Sequence, residues 1–300
     1  MNYYKPGIKT IQTNSSQKIS FIATAFRPNN WMEIYNNINQ NDIDFEMVFV
    51  GPNHPDFALP ENFIFIYSEV KPTQCVEIAI RESTGSLVVI IADDIIFLGN
   101  RPLEKLVAQY NKLNNYKSIL SCRLKQDNIP FDIKYHRFNF HDLNSPLLPC
   151  VGVMSKKLLK EIGSIDNRFI ASMHDVDLYM RAIKLGSKIE FSEIFVNENK
   201  KEKSEGSNTG AEFFVDTIFS KKLWVKNEKG VYDRIFPVIG FLDKDIRFYS
   251  QGPRGRWRGS MPKLLEYLID TILKKILTFC IRILSFNKYP RYFRVIMKRL

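Results

Sequence analysis

Cysteine is scarce and scattered. Cys75, Cys122, Cys150 and Cys280 stand far apart, with no CxxC pair and no cysteine–histidine spacing suited to zinc. Neither a disulfide framework nor a structural zinc site is indicated, and reduced thiols are the expectation. Long apolar runs are also missing: no uncharged stretch approaches the roughly 18 residues of a membrane-spanning helix. The opening MNYYKPGIKTIQTNSSQK lacks the apolar centre of a secretory signal, so a cytoplasmic chain is expected. Excess charge is lacking over most of the length. Of 43 basic and 32 acidic residues, twelve and two fall in 254–300, leaving 31 against 30 before them. A nucleic-acid enzyme spreads positive charge over its body, so nucleic acid is not an expected partner.

What is present is enough for one large α/β domain and an appendage: 300 residues, 45% of them hydrophobic. The chain is organised around Ser86–Leu98, SLVVIIADDIIFL. Its unbroken apolar run reads as a strand covered on both faces of a parallel sheet. Asp93 and Asp94 then fall where that strand ends, the edge at which open α/β sheets bind ligands. Two adjacent carboxylates repel unless a cation or a hydroxyl network uses them. The alternative is a polar turn whose acids face water.

Strands are predicted over 19–26, 45–50 and 63–67, with helices over 31–39 and 75–83, the latter stopped by Gly85. A helix over 102–113 and a strand over 118–122 follow. Residues 123–150 read as irregular, and their His136 and His141 as ordinary surface residues rather than ligands. Helices are predicted over 154–162, 172–185 and 213–222, with a strand opening at 188–191. The polar stretch 197–212 reads as a mobile loop or a linker. Strand–helix alternation at this pace predicts a doubly wound, mostly parallel sheet with helices on both faces.

A second acidic cluster makes the pattern specific. Gly152-Val153-Met154-Ser155, then Glu161-Ile162-Gly163 with Asp166 and Phe169, then His174-Asp175-Val176-Asp177-Leu178 with Arg181 and Gly186 resembles the acceptor-side half of inverting family 2 glycosyltransferases of GT-A fold. That family shows an "elGgfDerf" run followed by "EDvDLxxRxxxxG". The resemblance covers residues 19–225, with the Asp93-Asp94 strand end matching the family's DxD-type motif. It implies a Rossmann-like GT-A domain and displacement at the anomeric carbon of a nucleotide sugar. Asp175 would be the general base, and Asp94 would hold a divalent metal, Mn²⁺ or Mg²⁺, on the diphosphate. Asp93 would contact the ribose or share the metal. Thr24, Phe26 and Arg27 lie where the family holds the nucleotide, and His174 and Asp177 would support Asp175 from behind. The alternative for Asp175 is a helix N-cap. Gly51-Pro52 stands where the family often has a base-reading Asp, and Val196-Asn197-Glu198-Asn199 lacks its frequent His, for which Asn197 or Glu198 is the replacement on offer.

After Pro262, residues 263–286 carry Leu265, Leu268, Ile269, Ile272, Ile276, Phe279 and Ile283 at helical spacing among basic residues. A basic amphipathic helix suits an anionic membrane surface; docking on the domain itself or on a second subunit is the rival. The expected organisation is a lead-in over 1–18, a GT-A domain over 19–235 and a basic amphipathic segment over 236–300. The expected activity is transfer from a nucleotide-sugar donor to a glycan or lipid-linked acceptor at the inner membrane face, in surface polysaccharide or glycolipid synthesis. A non-catalytic scaffold of the same fold, recruiting partners to the membrane, is the other class considered. A sugar-phosphate nucleotidyltransferase is disfavoured, because Ala25-Phe26-Arg27-Pro28 is not a Gly-rich loop.

Overall fold

A computed structural model of the chain describes residues 3–4, 17–126, 132–163, 165–198 and 210–241. The basic segment 254–300, with its predicted helix, lies outside the described residues, as does most of the 197–212 stretch. No helix among the described residues is long and apolar enough to cross a membrane.

The elements run β1 (Tyr3–Tyr4), β2 (Ile19–Thr24), α1 (Pro28–Asn39), β3 (Phe45–Gly51), β4 (Phe63–Tyr67), α2 (Pro72–Glu82), β5 (Leu87–Ile90), β6 (Ile95–Leu98) and α3 (Pro102–Lys112). Then come β7 (Ile119–Gln126), β8 (His136–Arg137), β9 (Leu147–Leu148), β10 (Val151–Ser155), α4 (Lys156–Ile162), α5 (His174–Lys184), β11 (Ile189–Glu198), α6 (Gly210–Leu223), β12 (Trp224–Lys226) and β13 (Tyr232–Arg234). Among the described residues one sheet has the order β1-β4-β3-β2-β5-β10-β7-β11-β6. The block β4-β3-β2-β5 is parallel throughout, as is β7 with β11. β10 runs against both its neighbours, and β1 and β6 close the edges antiparallel. The expected Rossmann-like sheet is thus present, interrupted by one reversed strand.

Two apolar layers cover the sheet. One face packs on α2, α4 and α5, the other on α1 and α3. Trp31 anchors the second layer, fully buried against Phe49, Phe63 and Phe65 at centroid distances of 5.7, 5.9 and 5.1 Å. Contiguous apolar runs form the parallel strands because both of their faces are buried. A proline in the first turn starts each of α1, α2 and α3, where its missing N–H leaves no helix bond unmade.

Four departures from the periodicity have physical causes. The segment predicted as a helix over 154–162 begins as β10, inserted between β5 and β7, and the helix starts only at Lys156. Ser155 caps it, its hydroxyl accepting from the Leu158 N–H at 3.0 Å. Gly85 does not stop α2 by a left-handed turn. It sits where a Cβ would lie 2.5 Å from Ser20 Oγ, and its N–H feeds a buried knot in which Glu46 accepts from Ser20 at 2.6 Å. The 123–150 stretch is less irregular than expected, since β7 continues to Gln126 alongside β11. Asn197 and Glu198 belong to β11, paired with Ile96 and Ile95 of β6, and Gly210–Glu212 opens α6.

Candidate functional site

The chain leaves the parallel block at the end of β5, turns through Asp93 and Asp94, and re-enters the sheet four places away as β6. Both acids are nearly inaccessible, 2% and 6% exposed. Asp93 Oδ2 accepts from two successive backbone groups, Phe26 N–H and Arg27 N–H, each at 2.6 Å. Its Oδ1 accepts from Arg27 Nη1 at 2.6 Å, and the same nitrogen lies 2.8 Å from Asp94 Oδ2. Asn30 adds a bond to the Asp93 carbonyl at 3.2 Å. Consecutive N–H groups closing on an anion form a nest. Asp93 therefore folds the loop between β2 and α1 over the end of β5, bringing the predicted residues Phe26, Arg27, Asp93 and Asp94 together.

Thr24 takes a different part. Its hydroxyl donates to the Pro72 carbonyl at 2.7 Å, tying the end of β2 to the start of α2. From there Thr73 reaches onward, its hydroxyl on the Phe169 carbonyl at 2.7 Å. The adjacent Lys71 donates to the Asn167 carbonyl. Burial pulls the Lys71 ammonium down to about 8, with Asp216 and Asp166 partly opposing that. Gly51, where the family's base-reading Asp is absent, is required for another reason: a Cβ there would lie 1.7 Å from the Ala25 carbonyl oxygen. Beyond it Asn53 donates to the Phe26 carbonyl at 2.6 Å, and His54 stacks on Tyr67 at 4.6 Å.

Asp175 lies in the first turn of α5, the helix whose Tyr179 packs on β10. Val153 of β10 stands opposite Val89 of β5, so Gly152 is one step nearer the Asp93 end. A Cβ on Gly152 would lie 2.7 Å from the Tyr179 hydroxyl, so glycine there lets α5 press against the sheet. Asp175 is one helical turn before Tyr179. Burial and then the Asp175 carboxylate push the Tyr179 phenol upward. Asp175 is half-buried and does not cap the helix. Met173, at φ 59°, occupies the cap position, and no side chain caps there. Among the described residues the Asp175 carboxylate makes no hydrogen bond or ion pair. Beside it, His174 Nδ1 is buried without a hydrogen-bond partner among the described residues.

Asp177 is fully buried and structural. It accepts from Arg181 Nε at 2.9 Å, Trp224 Nε1 at 2.9 Å and Arg234 Nε at 3.0 Å, fastening α5 to the β12–β13 ribbon. Arg234 also bonds Asp166, which Arg168 grips at 2.9 and 2.7 Å. Against the upward pull of burial, Arg168 and Arg234 hold the Asp166 carboxyl down at about 2. A depressed carboxyl adds stability that is full above its ordinary value and disappears as pH falls through the folded one. Wild-type melting is expected to drop between about pH 4 and pH 2, with about 2 kcal/mol of that loss from this group. Thermal melts across that range should show a shallower fall in Asp166→Asn; an identical slope would remove Asp166 from the linkage.

Sequence reasoning missed Asp216, fully buried on α6. Its carboxylate accepts from the N–H groups of Ile170, Ala171 and Ser172 at 3.0, 2.8 and 2.8 Å, which shapes the approach to α5. A lone acid inside FFVDTIF was the available signal.

The described residues do not by themselves make a cage for a divalent ion. Among the described residues no three Asp, Glu, His or Cys side chains gather for one. Asp93 is bound on both oxygens by the loop between β2 and α1. Asp94 shares the Arg27 nitrogen. Glu198, offered as a replacement for the family's His, stands opposite Ile95 and so neighbours Asp94 in register, but it bonds Gln126.

No protein-family model matches the chain, and no curated protein matches it. Among solved structures the chain is similar to S. aureus TarS 1-349, at 17% identity and a TM-score of 0.45, over 68% of this chain and 64% of that one. The same fragment in complex with UDP-GlcNAc gives 18% and 0.46, over 67% and 64%. The mannosyltransferase PcManGT from Pyrobaculum calidifontis, in complex with GDP-Man and Mn²⁺, gives 16% and 0.47, over 63% and 59%. The chain spans less than two thirds of the length of each.

Proposed function

We propose that the chain is a nucleotide-sugar-dependent glycosyltransferase of GT-A type, transferring a hexosyl group with inversion to a glycan or lipid-linked hydroxyl. The observation that carries this reading is the Arg27–Asp93–Asp94 cluster at the end of β5, together with Asp175 in the first turn of α5, a carboxylate with no hydrogen bond or ion pair among the described residues. In the proposed step Asp175 takes the proton of the acceptor hydroxyl. The oxygen's electron pair forms the bond to the anomeric carbon, on the face opposite the diphosphate. The anomeric carbon–oxygen bond to the diphosphate breaks, and its pair leaves on the nucleoside diphosphate. The basic segment 254–300 fits work on an acceptor at an anionic inner membrane face, and the same segment suits contact with a second copy of the chain.

A melting panel tests this reading: nucleoside diphosphates and nucleotide sugars of each base, with Mn²⁺, Mg²⁺ or chelator. A ligand confined to the native state adds about 2.7 kcal/mol of stability at a hundred times its Kd. One base is expected to raise the melting temperature, and Arg27→Gln to reduce the rise. No rise with any of them would leave the non-catalytic scaffold as the better reading.

A further inference from the structure

The resemblance implies a divalent cation between the donor diphosphate and the Asp93–Asp94 pair. A cation already stands there. Arg27 Nη1 bridges the two acids, 2.6 Å from Asp93 Oδ1 and 2.8 Å from Asp94 Oδ2. The backbone of Arg27 is fixed by the same carboxylate, through its N–H on Asp93 Oδ2 at 2.6 Å. The guanidinium is therefore seated at both ends rather than swinging on a long side chain.

Exposure sets the order in which a ligand meets these groups. The Arg27 side chain keeps 24% of its surface, whereas Asp93 and Asp94 keep 3% and 6%. The arginine side chain is thus the most open of the three to an anion arriving from solvent. A divalent ion would need oxygens at about 2.0–2.6 Å. It would have to take them from a pair in which both Asp93 oxygens and the Asp94 Oδ2 are already engaged, and settle beside a fixed positive charge. Coulomb repulsion opposes that in a site this buried. A planar fork of N–H donors, by contrast, matches phosphate oxygens bidentately. α1 begins at Pro28 with no side-chain cap, so its positive end adds to the field at the same point.

We infer that Arg27, seated on Asp93 and Asp94, is the cation that receives the donor diphosphate, so that donor binding needs no divalent metal. The inference rests on the donor-site reading above. Asp93 and Asp94 then act as positioning residues, holding the guanidinium instead of a metal.

Calorimetric titration of the full chain with UDP, GDP, ADP, CDP and dTDP, in chelator and again in Mn²⁺, tests it. The nucleotide that binds is expected to do so with the same Kd in both conditions. Arg27→Gln should bind it at least about tenfold more weakly in chelator, the factor of a single 1.4 kcal/mol contact. Added Mn²⁺ should restore part of that loss, now that the acids are open, and Arg27→Lys should fall between the two. Wild-type binding that requires Mn²⁺ would overturn the inference and leave the transferase reading standing, and this comparison depends on no variant folding. Undiminished binding by Arg27→Gln in chelator would also overturn it. Failure of every nucleotide in both conditions would remove the donor site itself, and the inference with it.

Discussion

Asp175→Asn is expected to lower sugar transfer by about 10²–10⁴-fold, the span that a positioned general base contributes, while the protein melts within a degree or two of wild type. The two halves of this expectation come from the same observation. A carboxylate that holds no hydrogen bond and no ion partner among the described residues contributes little to the fold beyond its place in the first turn of α5. There a negative charge adds typically 0.3–1 kcal/mol through the helix dipole. Asn keeps the shape and loses the basicity. Had Asp175 been a cap, the penalty would instead be about 1 kcal/mol in stability with the rate untouched. Release of nucleoside diphosphate from the donor, with water as acceptor when no sugar acceptor is to hand, gives the rate; scanning calorimetry gives the melt. Full turnover in the variant would move the base elsewhere, with His174, whose Nδ1 is buried beside it, as the next residue to substitute.

The parts of this molecule that the sequence made legible are those fixed by local chemistry. The strands Phe45–Gly51 and Phe63–Tyr67 were readable because both faces are buried, with Gly51-Pro52 ending the first and Pro60 shortly before the second. The Asp93-Asp94 turn was readable because two adjacent acids would face both covered sides of a buried strand at once. Illegible parts depend on partners distant in sequence. β10 exists because β5 and β7 flank it, and Val151–Ser155 alone is too short to distinguish from the start of a helix. Polar Asn197 and Glu198 join β11 only because β6 supplies a ladder. That the arginine 66 residues earlier bridges Asp93 to Asp94 was not legible, since nothing local to the acid pair says so. Asp177 was placed behind the base by motif alone; that Trp224 and Arg234 close on it required the fold.

Asp177→Ala carries the largest expected loss of stability. The residue has no exposed surface, and two guanidinium groups and an indole N–H converge on its two oxygens. Removing it leaves Arg181, itself buried, with its charge uncompensated, and deprives Arg234 of one of two carboxylates. Breaking a buried ion pair from one side costs about 3–5 kcal/mol, a large share of the 5–15 kcal/mol that holds a typical domain together. For a domain of this size each kcal/mol shifts melting by about 2–4 °C, so a fall of roughly 10 °C is expected by calorimetry. Asp177→Asn should fall less, since its amide oxygen still accepts from Trp224 or Arg234. Turnover should decline too, because α5 carries Asp175 and the Trp224 and Arg234 contacts hold that helix against the ribbon. That decline would be positional, recovering at low temperature where the variant is folded, whereas the Asp175→Asn defect would persist there. A double variant, Asp177→Leu with Arg181→Met, separates charge from packing: if uncompensated charge is the cause, it melts above Asp177→Ala. A melt of Asp177→Ala indistinguishable from wild type would mean that water reaches these arginines, and that the ribbon is held to α5 by its apolar contacts alone.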